Sequence, residues 1–455
     1  MVHHTICNVA VGNKLQRFLT ALACAAVCLL SGVAAAQAQS TWTTVGPPGF
    51  SASSAASIAV ALDAAGNPVV TYRDYSTTPA GRAVVQRYNS ATGAWDFLGP
   101  AAGISPDASI ANDLALDAAG NPILLYRSMA AMGPGAVKRY NSATNAWDGI
   151  DGGVGVWPGD MALALDAAGT PFVAYTEGTT SPTFRAVVQR YNSAANTWEF
   201  VGPAAGISSG GALSPVLALD AAGNPVLAYR DSSVAPIVIV VKRYNGAAGV
   251  WQDVGPAGGV AGQAALAQQI SLALDAAGNP LVAYMDSSTT PANRAVVKRY
   301  NSAAGAWQEV GPAGGASPAG VANTVSLALD AAGNPVLAYA DATSTPAWRA
   351  VVKRYNSATG AWDTLGAAGF ASAGQADFYF TSLALDAAGN PVLGFRDYDA
   401  ATTGPITVVK FGAPPPPPPP PPASSPIPTL NPAALLLLAT ALGLLALAAR
   451  RHRLK

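Results

Sequence analysis

The chain has 455 residues, of which 11% are charged, and its 25 lysines and arginines balance its 25 aspartates and glutamates. Six of the basic residues lie in the terminal segments and every acidic residue lies between them, so the central body has 19 basic and 25 acidic residues, a net charge of −6. This acidic balance argues against nonspecific nucleic-acid binding. The three histidines and three cysteines also lie in the terminal segments, which excludes Ser-His-Asp, Cys-His and the usual zinc sites from the body.

The N-terminus has the pattern of a secretory signal. A basic segment precedes an apolar run over residues 18–33, and a small-x-small sequence follows with Ala36 and Ala38 at the cleavage positions. The pattern predicts a signal peptide over residues 1–38 and therefore an exported protein.

The body is a repeat of about fifty residues. The heptapeptide LDAAGNP recurs at intervals of 49 to 56 residues, and its aspartates are Asp63, Asp117, Asp166, Asp220, Asp275, Asp330 and Asp386. Within one unit, residues 271–311, four runs of strand length are bounded by turn residues: SLALD, NPLVAYMD, RAVVKRY and AWQEVG. Repeats of this period are typical of solenoids, propellers and arrays, and four antiparallel strands make one propeller blade.

The seventh unit lacks its fourth strand, and a matching strand lies at the start of the body. Residues 41–46, TWTTVG, are similar to the outer strands that the other units build around a tryptophan, such as Trp95. A solenoid needs no such strand, whereas a ring does, because the strand covers the unpaired edge of the last blade. The sequence therefore predicts an all-β, seven-bladed β-propeller of four-stranded blades over residues 39–412, with the ring closed by the N-terminal strand.

Each residue of the heptapeptide has a structural role. The aspartate favours the first position of a type I turn, the glycine takes a left-handed conformation, and the proline begins the next strand. Calcium binding is the alternative, but one carboxylate per turn falls well short of the oxygens that calcium takes. No metal or other cofactor is predicted, and the search for function moves to the opposite face, where the loops vary.

Two kinds of side chain on that face are candidate ligand contacts. Four units carry an acid and an arginine eight residues apart, such as Asp74 and Arg82, which we expect to pair across two strands. Units four and seven keep the acid without the arginine, and several aromatic residues break the period and could stack on sugars or anchor a protein. The candidate ligand face comprises Trp157, Trp348, Phe378, Tyr379, Phe380, Tyr398, Asp231 and Asp397. Neutral variation of surface loops and solvated acids are the alternatives.

The C-terminus contains a spacer, a short motif, an apolar helix and a basic cluster. The spacer, residues 413–426, includes nine consecutive prolines and is predicted to form a stiff polyproline II segment. The apolar run, residues 433–449, spans about 26 Å at about 1.5 Å per residue and is predicted to be a transmembrane helix. The motif and the start of the basic cluster are Ile427, Pro428, Thr429, Leu430, Arg450 and Arg451.

This order of parts resembles the IPTL-CTERM protein-sorting tail of Gram-negative bacteria, over residues 427–455. The resemblance implies an exosortase-type sorting protease that removes the helix and passes the body toward the cell surface. It thus implies an inner-membrane-anchored precursor and then a cell-surface or extracellular protein. A plain C-terminal membrane anchor is the alternative.

The body also resembles kelch-like secreted propeller repeats, although it lacks their double-glycine signature, so no functional residue is carried over. Because the body has neither histidine nor cysteine and no distinctive pair of carboxylates, the sequence predicts that the protein is not an enzyme. The leading hypothesis is a surface module that binds a glycan or a protein through the variable loops. The alternatives are a carboxylate-dependent enzyme acting on extracellular polysaccharide and a ligand-free structural component of the surface.

Overall fold

The computed structural model describes residues 40–51, 54–129, 134–155, 160–178, 184–256, 258–260, 270–287, 293–318, 322–345, 347–366, 371–372, 375–398, 404–412 and 436–445. Among these, the side chains of residues 111–112, 151–152, 322–323 and 377–381 are not described. The chain forms two compact units, Met1–Ala413 and Pro414–Lys455. The predicted signal peptide, with Ala36 and Ala38, lies outside the described residues.

The first unit consists of seven four-stranded antiparallel sheets, which confirms the predicted propeller of seven blades. Blades 1 to 3 comprise β2 (Ala55–Leu62), β3 (Pro68–Asp74), β4 (Arg82–Asn89), β5 (Ala94–Phe97); β6 (Ser109–Leu116), β7 (Pro122–Ser128), β8 (Gly135–Asn141), β9 (Ala146–Val154); and β10 (Met161–Leu165), β11 (Pro171–Glu177), β12 (Arg185–Asn192), β13 (Thr197–Phe200). Blades 4 and 5 comprise β14 (Ala212–Leu219), β15 (Pro225–Asp231), β16 (Val238–Asn245), β17 (Val250–Asp253); and β18 (Ile270–Leu274), β19 (Pro280–Asp286), β20 (Arg294–Asn301), β21 (Ala306–Glu309). Blades 6 and 7 comprise β22 (Ala322–Leu329), β23 (Pro335–Asp341), β24 (Arg349–Asn356), β25 (Ala361–Thr364); and β26 (Gln375–Leu385), β27 (Pro391–Tyr398), β28 (Ile406–Gly412), together with β1 (Thr41–Thr44).

Burial explains why the four strands of a blade differ in sequence. Every residue of the second strand Pro225–Asp231 is buried, because neighbouring blades cover both faces of the sheet, and its sequence is accordingly almost continuously apolar at the start. The fourth strand Val250–Asp253 is mostly exposed and keeps only its tryptophan partly buried. The apolar clusters lie between blades, and one of them joins Tyr72 of blade 1 to Val392 and Val408 of blade 7.

The first strand of the body pairs with the last. β1 runs antiparallel to β28, with Thr41 opposite Gly412 and Thr44 opposite Val409. Trp42 of β1 donates its indole N–H to the carbonyl of Leu365 in blade 6 at 2.8 Å. The tryptophans of blades 1, 2, 4, 5 and 6 make the same bond to the preceding blade: Trp95 to Val45, Trp147 to Leu98, Trp251 to Val201, Trp307 to Val254 and Trp362 to Val310.

The heptapeptide forms the predicted turn. In blade 1, Asp63 Oδ1 accepts the backbone N–H groups of Ala65 at 3.0 Å and Asn67 at 2.9 Å, and Gly66 takes a φ of +78°. The carbonyl of the turn glycine accepts a further bond from an arginine of the preceding blade, as between Arg139 and Gly169 at 2.8 Å. The carboxylates are therefore engaged by the turns themselves.

The second unit is described only over residues 436–445, which are helical. The predicted transmembrane helix over residues 433–449 extends beyond these residues at both ends. No helix among the described residues is long and apolar enough to cross a membrane. The motif residues Ile427 to Leu430 and the basic Arg450 and Arg451 lie outside the described ranges.

Candidate ligand-binding face

The strand register assigns the connections of each blade to two faces. Leu62 lies opposite Pro68 beside the heptapeptide turn, on a surface that we call the turn face. Asp74 lies opposite Arg82 at the other end of the blade, on a surface that we call the loop face. The loop face carries the connections between second and third strands and those between blades.

The connections between blades are less variable than the sequence suggested. A buried serine in each of five connections accepts the N–H of the first or second residue of a third strand, as Ser105 Oγ does from Ala83 at 2.9 Å. The other pairs are Ser208 with Ala186, Ser317 with Ala295, Ser372 with Ala350 and Ser51 with Ile406. In four of these connections the serine stands ten residues after the outer tryptophan, so the sequence does carry the signal that would have found it.

The predicted acid–arginine pairs are direct neighbours across strands, as Asp74 and Arg82 are in blade 1. Two of the arginines also bond to the connections between blades. Arg349 donates from Nε and Nη2 to the carbonyl of Ser372 at 3.0 and 2.8 Å. Arg294 donates to the carbonyl of Gly314 at 2.8 Å in the equivalent connection. These arginines therefore fasten the connection that leads to the next blade, a role that the sequence did not predict, and the ion pair itself stays a prediction.

The acids hold their own loops. Asp231 is buried, and its Oδ1 accepts the N–H of Ser233 at 2.9 Å together with the Ser233 hydroxyl. Asp74 makes the same two bonds to Ser76, although blade 1 has an arginine opposite and blade 4 does not. The acid at this position therefore bonds to its own loop both with an arginine opposite, as in blade 1, and without one, as in blade 4. A contact of Asp231 with a ligand stays a prediction.

One loop-face position holds the backbone in the left-handed region. Blades 1 and 7 place glycines there, Gly81 directly before its third strand at φ +85° and Gly404 two residues before its third strand at φ +78°. Blades 3 and 6 place Phe184 and Trp348 there, both at φ +65°, and blade 5 places Asn293 at φ +63°. Bulky residues rarely take this conformation, and strained positions of this kind cluster at functional sites. Phe184 is 48% exposed and Trp348 is partly buried.

The remaining predicted contacts are divided. Trp157 lies outside the described residues. Phe378, Tyr379 and Phe380 lie in the irregular part of β26, between the register pairs at Ala376 and Thr381, and their side chains are not described.

Tyr398 and Asp397 end β27, and both are partly buried. The Arg396 guanidinium lies over the Tyr398 ring at 4.4 Å from its centroid. Blade 1 repeats this arrangement with Arg73 over the ring of Tyr75 at 4.8 Å. The sequence reasoning overlooked these arginines, although the strings YRDY and FRDY in blades 1 and 7 carry the pattern.

The inner strands contain one unusual carboxylate. Asp113 accepts the N–H of Leu163 in the next blade at 2.8 Å and its neighbour Leu114 at 2.8 Å. Burial raises the pKa of Asp113, and these two amide bonds partly offset that effect. Blades 5, 6 and 7 place serines at this position, and they accept the same interblade bond: Ser271 from Leu327, Ser326 from Leu383 and Ser382 from Val60.

A shallow cavity of about 290 Å³ lies on the turn face between blades 2 and 3. Arg139 and Asp148 contribute its polar groups, and Tyr191 lines one side. The guanidinium of Arg139 already donates to the carbonyl of Gly169, so this charged group of the cavity has a partner within the propeller itself.

Comparison with known proteins identifies the tail. Residues 425–453 match the IPTL-CTERM motif, which confirms the resemblance of this segment and suggests sorting to the cell surface by an exosortase-type system. A search of the curated proteins finds no significant match. The resemblance of the body to kelch-like repeats stays a prediction.

Solved structures similar to the body include proteins that act on or bind glycans. A xyloglucanase from Xanthomonas campestris has 15% identity and a TM-score of 0.49, with 81% of this chain and 55% of that chain covered. An ulvan lyase bound to an oligosaccharide has 13% identity and a TM-score of 0.48, with 83% and 95% covered. The SapL1 lectin in complex with alpha methyl fucoside has 12% identity and a TM-score of 0.45, with 70% and 96% covered.

These comparisons correct one prediction. The prediction that the protein is not an enzyme is wrong in excluding catalysis, because solved propellers similar to it include a glycoside hydrolase and polysaccharide lyases by name. The missing histidine and cysteine remove particular mechanisms, not catalysis in general. At these identities the likeness shows the fold alone and assigns neither a substrate nor a reaction to this chain.

Proposed function

We propose that this protein is an exported propeller, closed by its N-terminal strand and sorted to the cell surface, whose loop face binds a glycan. The observation that carries the proposal is the pair of bulky aromatics, Phe184 and Trp348, held at φ +65° where blades 1 and 7 use glycine. The frame does not require a ring there, since glycine or asparagine forms the same loop end. Aromatic rings offer apolar faces on which sugar rings can stack.

The tail supports the location part of the proposal. A motif that directs sorting, a proline-rich spacer and a compact body in this order would leave the propeller at the end of a stiff stalk while the helix remains in the inner membrane. Removal of the helix by the sorting protease would then release the body to the surface. Trp157, Phe378, Tyr379, Phe380, Tyr398, Asp231 and Asp397 remain candidate contacts on the loop face.

A glycan array with the purified protein tests the proposal. The informative variants are Phe184→Gly and Trp348→Gly, because each copies the residue of blades 1 and 7 and relieves a left-handed side chain. Asn293→Gly is the matched control, since it changes the same loop position in blade 5 without removing a ring. We expect all three variants to keep the melting temperature within a few degrees, and only the two aromatic variants to lose glycan binding.

Three outcomes would count against this proposal. Glycan binding that survives both aromatic substitutions would remove its main support. A captured protein ligand without any glycan binding would replace the ligand class. Release of new reducing ends or unsaturated products from a bound polysaccharide would assign an enzyme instead of a binding module.

A further inference from the structure

Arg73 occupies a position that the propeller frame does not reserve for arginine. The position follows the buried aromatic residue of the second strand, Tyr72 in blade 1. Four blades carry arginine there and three do not: Arg73, Arg127, Arg230 and Arg396 in blades 1, 2, 4 and 7, and Thr176, Met285 and Ala340 in blades 3, 5 and 6. Because a threonine, a methionine or an alanine also fits, the fold alone does not explain the arginine in blade 1.

The guanidinium of Arg73 has weak partners. Its Nη2 lies 3.1 Å from the sulfur of Met129, and its Cζ lies over the Tyr75 ring. Its Nε is buried and has no hydrogen-bond partner among the described residues, because Gly81 folds over it so closely that a Cβ there would lie 2.8 Å away. A guanidinium has five N–H donors, and a thioether sulfur or an aromatic face is a poor acceptor for them.

Arg396, the equivalent residue in blade 7, shows what a structural arginine does at this position. It also lies over a tyrosine, but it donates to the carbonyl of Gly404 at 3.2 Å and to the hydroxyl of Ser54 at 2.6 Å. The described partners of Arg396 belong to the frame, whereas those of Arg73 are a sulfur and a ring. The contrast is between these two residues, because Arg230, at the same position in blade 4, is buried and its Nε also has no hydrogen-bond partner among the described residues.

The surroundings of Arg73 suit a ligand with both a charge and an apolar ring face. Tyr75 is 39% exposed and Met129 is 48% exposed, so the two side chains beside the guanidinium are open to solvent. The neighbouring acid, Asp74, is buried and accepts bonds from Ser76, so its Oδ1 is directed into its own loop.

We propose that Arg73 and Tyr75 form a subsite for an anionic saccharide, with Arg73 binding a carboxylate or sulfate group and Tyr75 packing against the sugar ring. A planar guanidinium binds such oxyanions through two parallel hydrogen bonds, which an ammonium cannot reproduce. This inference rests on the proposed glycan binding and specifies its charge class.

The test measures binding of the purified protein to polygalacturonate, dextran sulfate and uncharged dextran of matched length, which distinguishes a carboxylate from a sulfate as the bound group. The main variant is Arg73→Thr, which copies blade 3 and is expected to fold. Arg73→Lys keeps the charge without the planar fork, and Tyr75→Ser copies blades 4 and 5. The control is Arg190→Gln, which removes one positive charge on the turn face, where Arg190 Nη2 lies 3.7 Å from Glu199 Oε2.

We expect the unchanged protein to bind one charged polymer and not dextran. Arg73→Thr should weaken that binding by about tenfold or more, Arg73→Lys and Tyr75→Ser by less, and Arg190→Gln should leave it unchanged. Equal losses of binding in Arg73→Thr and Arg190→Gln would indicate a nonspecific charge effect and overturn the subsite. Unchanged binding by the Arg73→Thr variant would also overturn it.

Failure of this subsite is distinguishable from failure of the proposed function. Binding of a neutral glycan that depends on Phe184 or Trp348 but not on Arg73 would contradict only the anionic subsite. Absence of binding to every glycan would contradict both.

Discussion

The strand exchanged across the seam is expected to contribute a large part of the stability of the propeller. β1 joins blade 7 through four residue pairs with β28. At about 1 kcal/mol for each pair, the backbone bonds contribute about 4 kcal/mol. The ring of Trp42 is partly buried, packs against Phe411 with centroids 5.2 Å apart and bonds to Leu365, which adds about 2 kcal/mol, roughly half the cost of truncating a fully buried tryptophan.

Deleting residues 40–46 should therefore cost about 6 kcal/mol, which is comparable with the whole stability of a typical domain. It also uncovers the edge of β28, and an uncovered edge invites pairing with other chains. We expect the deletion protein to aggregate or to melt far below the parent protein. Trp42→Ala alone should cost about 2 kcal/mol, and Thr43→Ala, in the same strand but exposed, should have little effect.

The assay is thermal unfolding combined with size-exclusion chromatography. A synthetic peptide covering residues 40–46 should bind the deletion protein and restore its melting temperature, because a free strand can add to an open sheet edge. A deletion protein that stays monomeric with an unchanged melting temperature would show that the N-terminal strand is not needed to stabilise the propeller.

Three further predictions concern single positions and the tail. Asp113→Ser copies blades 5 to 7 and removes a carboxyl group with a raised pKa. A raised pKa makes the native state lose stability as the pH rises from the pKa of the unfolded state toward that of the folded state. The variant should therefore be as stable as the parent or more stable at about pH 7, and its melting temperature should fall less between about pH 4 and pH 7. Gly81→Ala should destabilise by about 1 to 3 kcal/mol, more than Gly93→Ala, because both glycines have positive φ but only Gly81 has Arg73 in the way, and equal losses in denaturant titrations would contradict this account. Replacing Ile427 to Leu430 by alanines should leave the C-terminal helix attached in a host with the sorting protease, and mass spectrometry of a mature protein that still retains residues 433–449 without this change would contradict the processing of the tail.

The blades could be predicted from the sequence because each residue that marks them acts within one repeat or between adjacent repeats. Asp63 bonds to amides two and four residues ahead, and Tyr72 fills the space between two blades, so such residues recur with the period. On the loop face, contacts span longer separations in the chain. The carbonyl to which Arg349 donates belongs to Ser372, 23 residues away, and the same contact recurs between Arg82 and Ser105 in blade 1, so only comparison of the repeats brings it out.

The left-handed backbone of Trp348 could not be predicted for a related reason. A tryptophan favours a negative φ by itself, and the loop imposes the positive value through the bond from the Trp348 N–H to the carbonyl of Asp341 at 2.7 Å. Alignment of the repeats shows that five blades share this conformation at the position, with Gly81 in blade 1, whereas Ile237 of blade 4 does not take a positive φ. The sequence marks Trp348 as an aromatic residue that breaks the repeat but does not mark Phe184, and the left-handed backbone that the two share is seen only in the structure.

The two faces of the propeller differ in the hydrogen-bond partners of their polar side chains. On the turn face, the aspartates of the heptapeptide accept hydrogen bonds from the backbone N–H groups of their own turns, and the arginine of one blade donates to the glycine carbonyl of the next. The charged groups of the repeat therefore have their partners within the repeat. On the loop face, Asp231 and Arg349 are used in the same way, and the described residues that depart from this scheme include Phe184 and Trp348 at φ +65° and Arg73, whose described partners are a sulfur and a ring. Because other blades complete the frame with different residues at the same positions, the fold does not require these departures, and we propose that they serve a ligand.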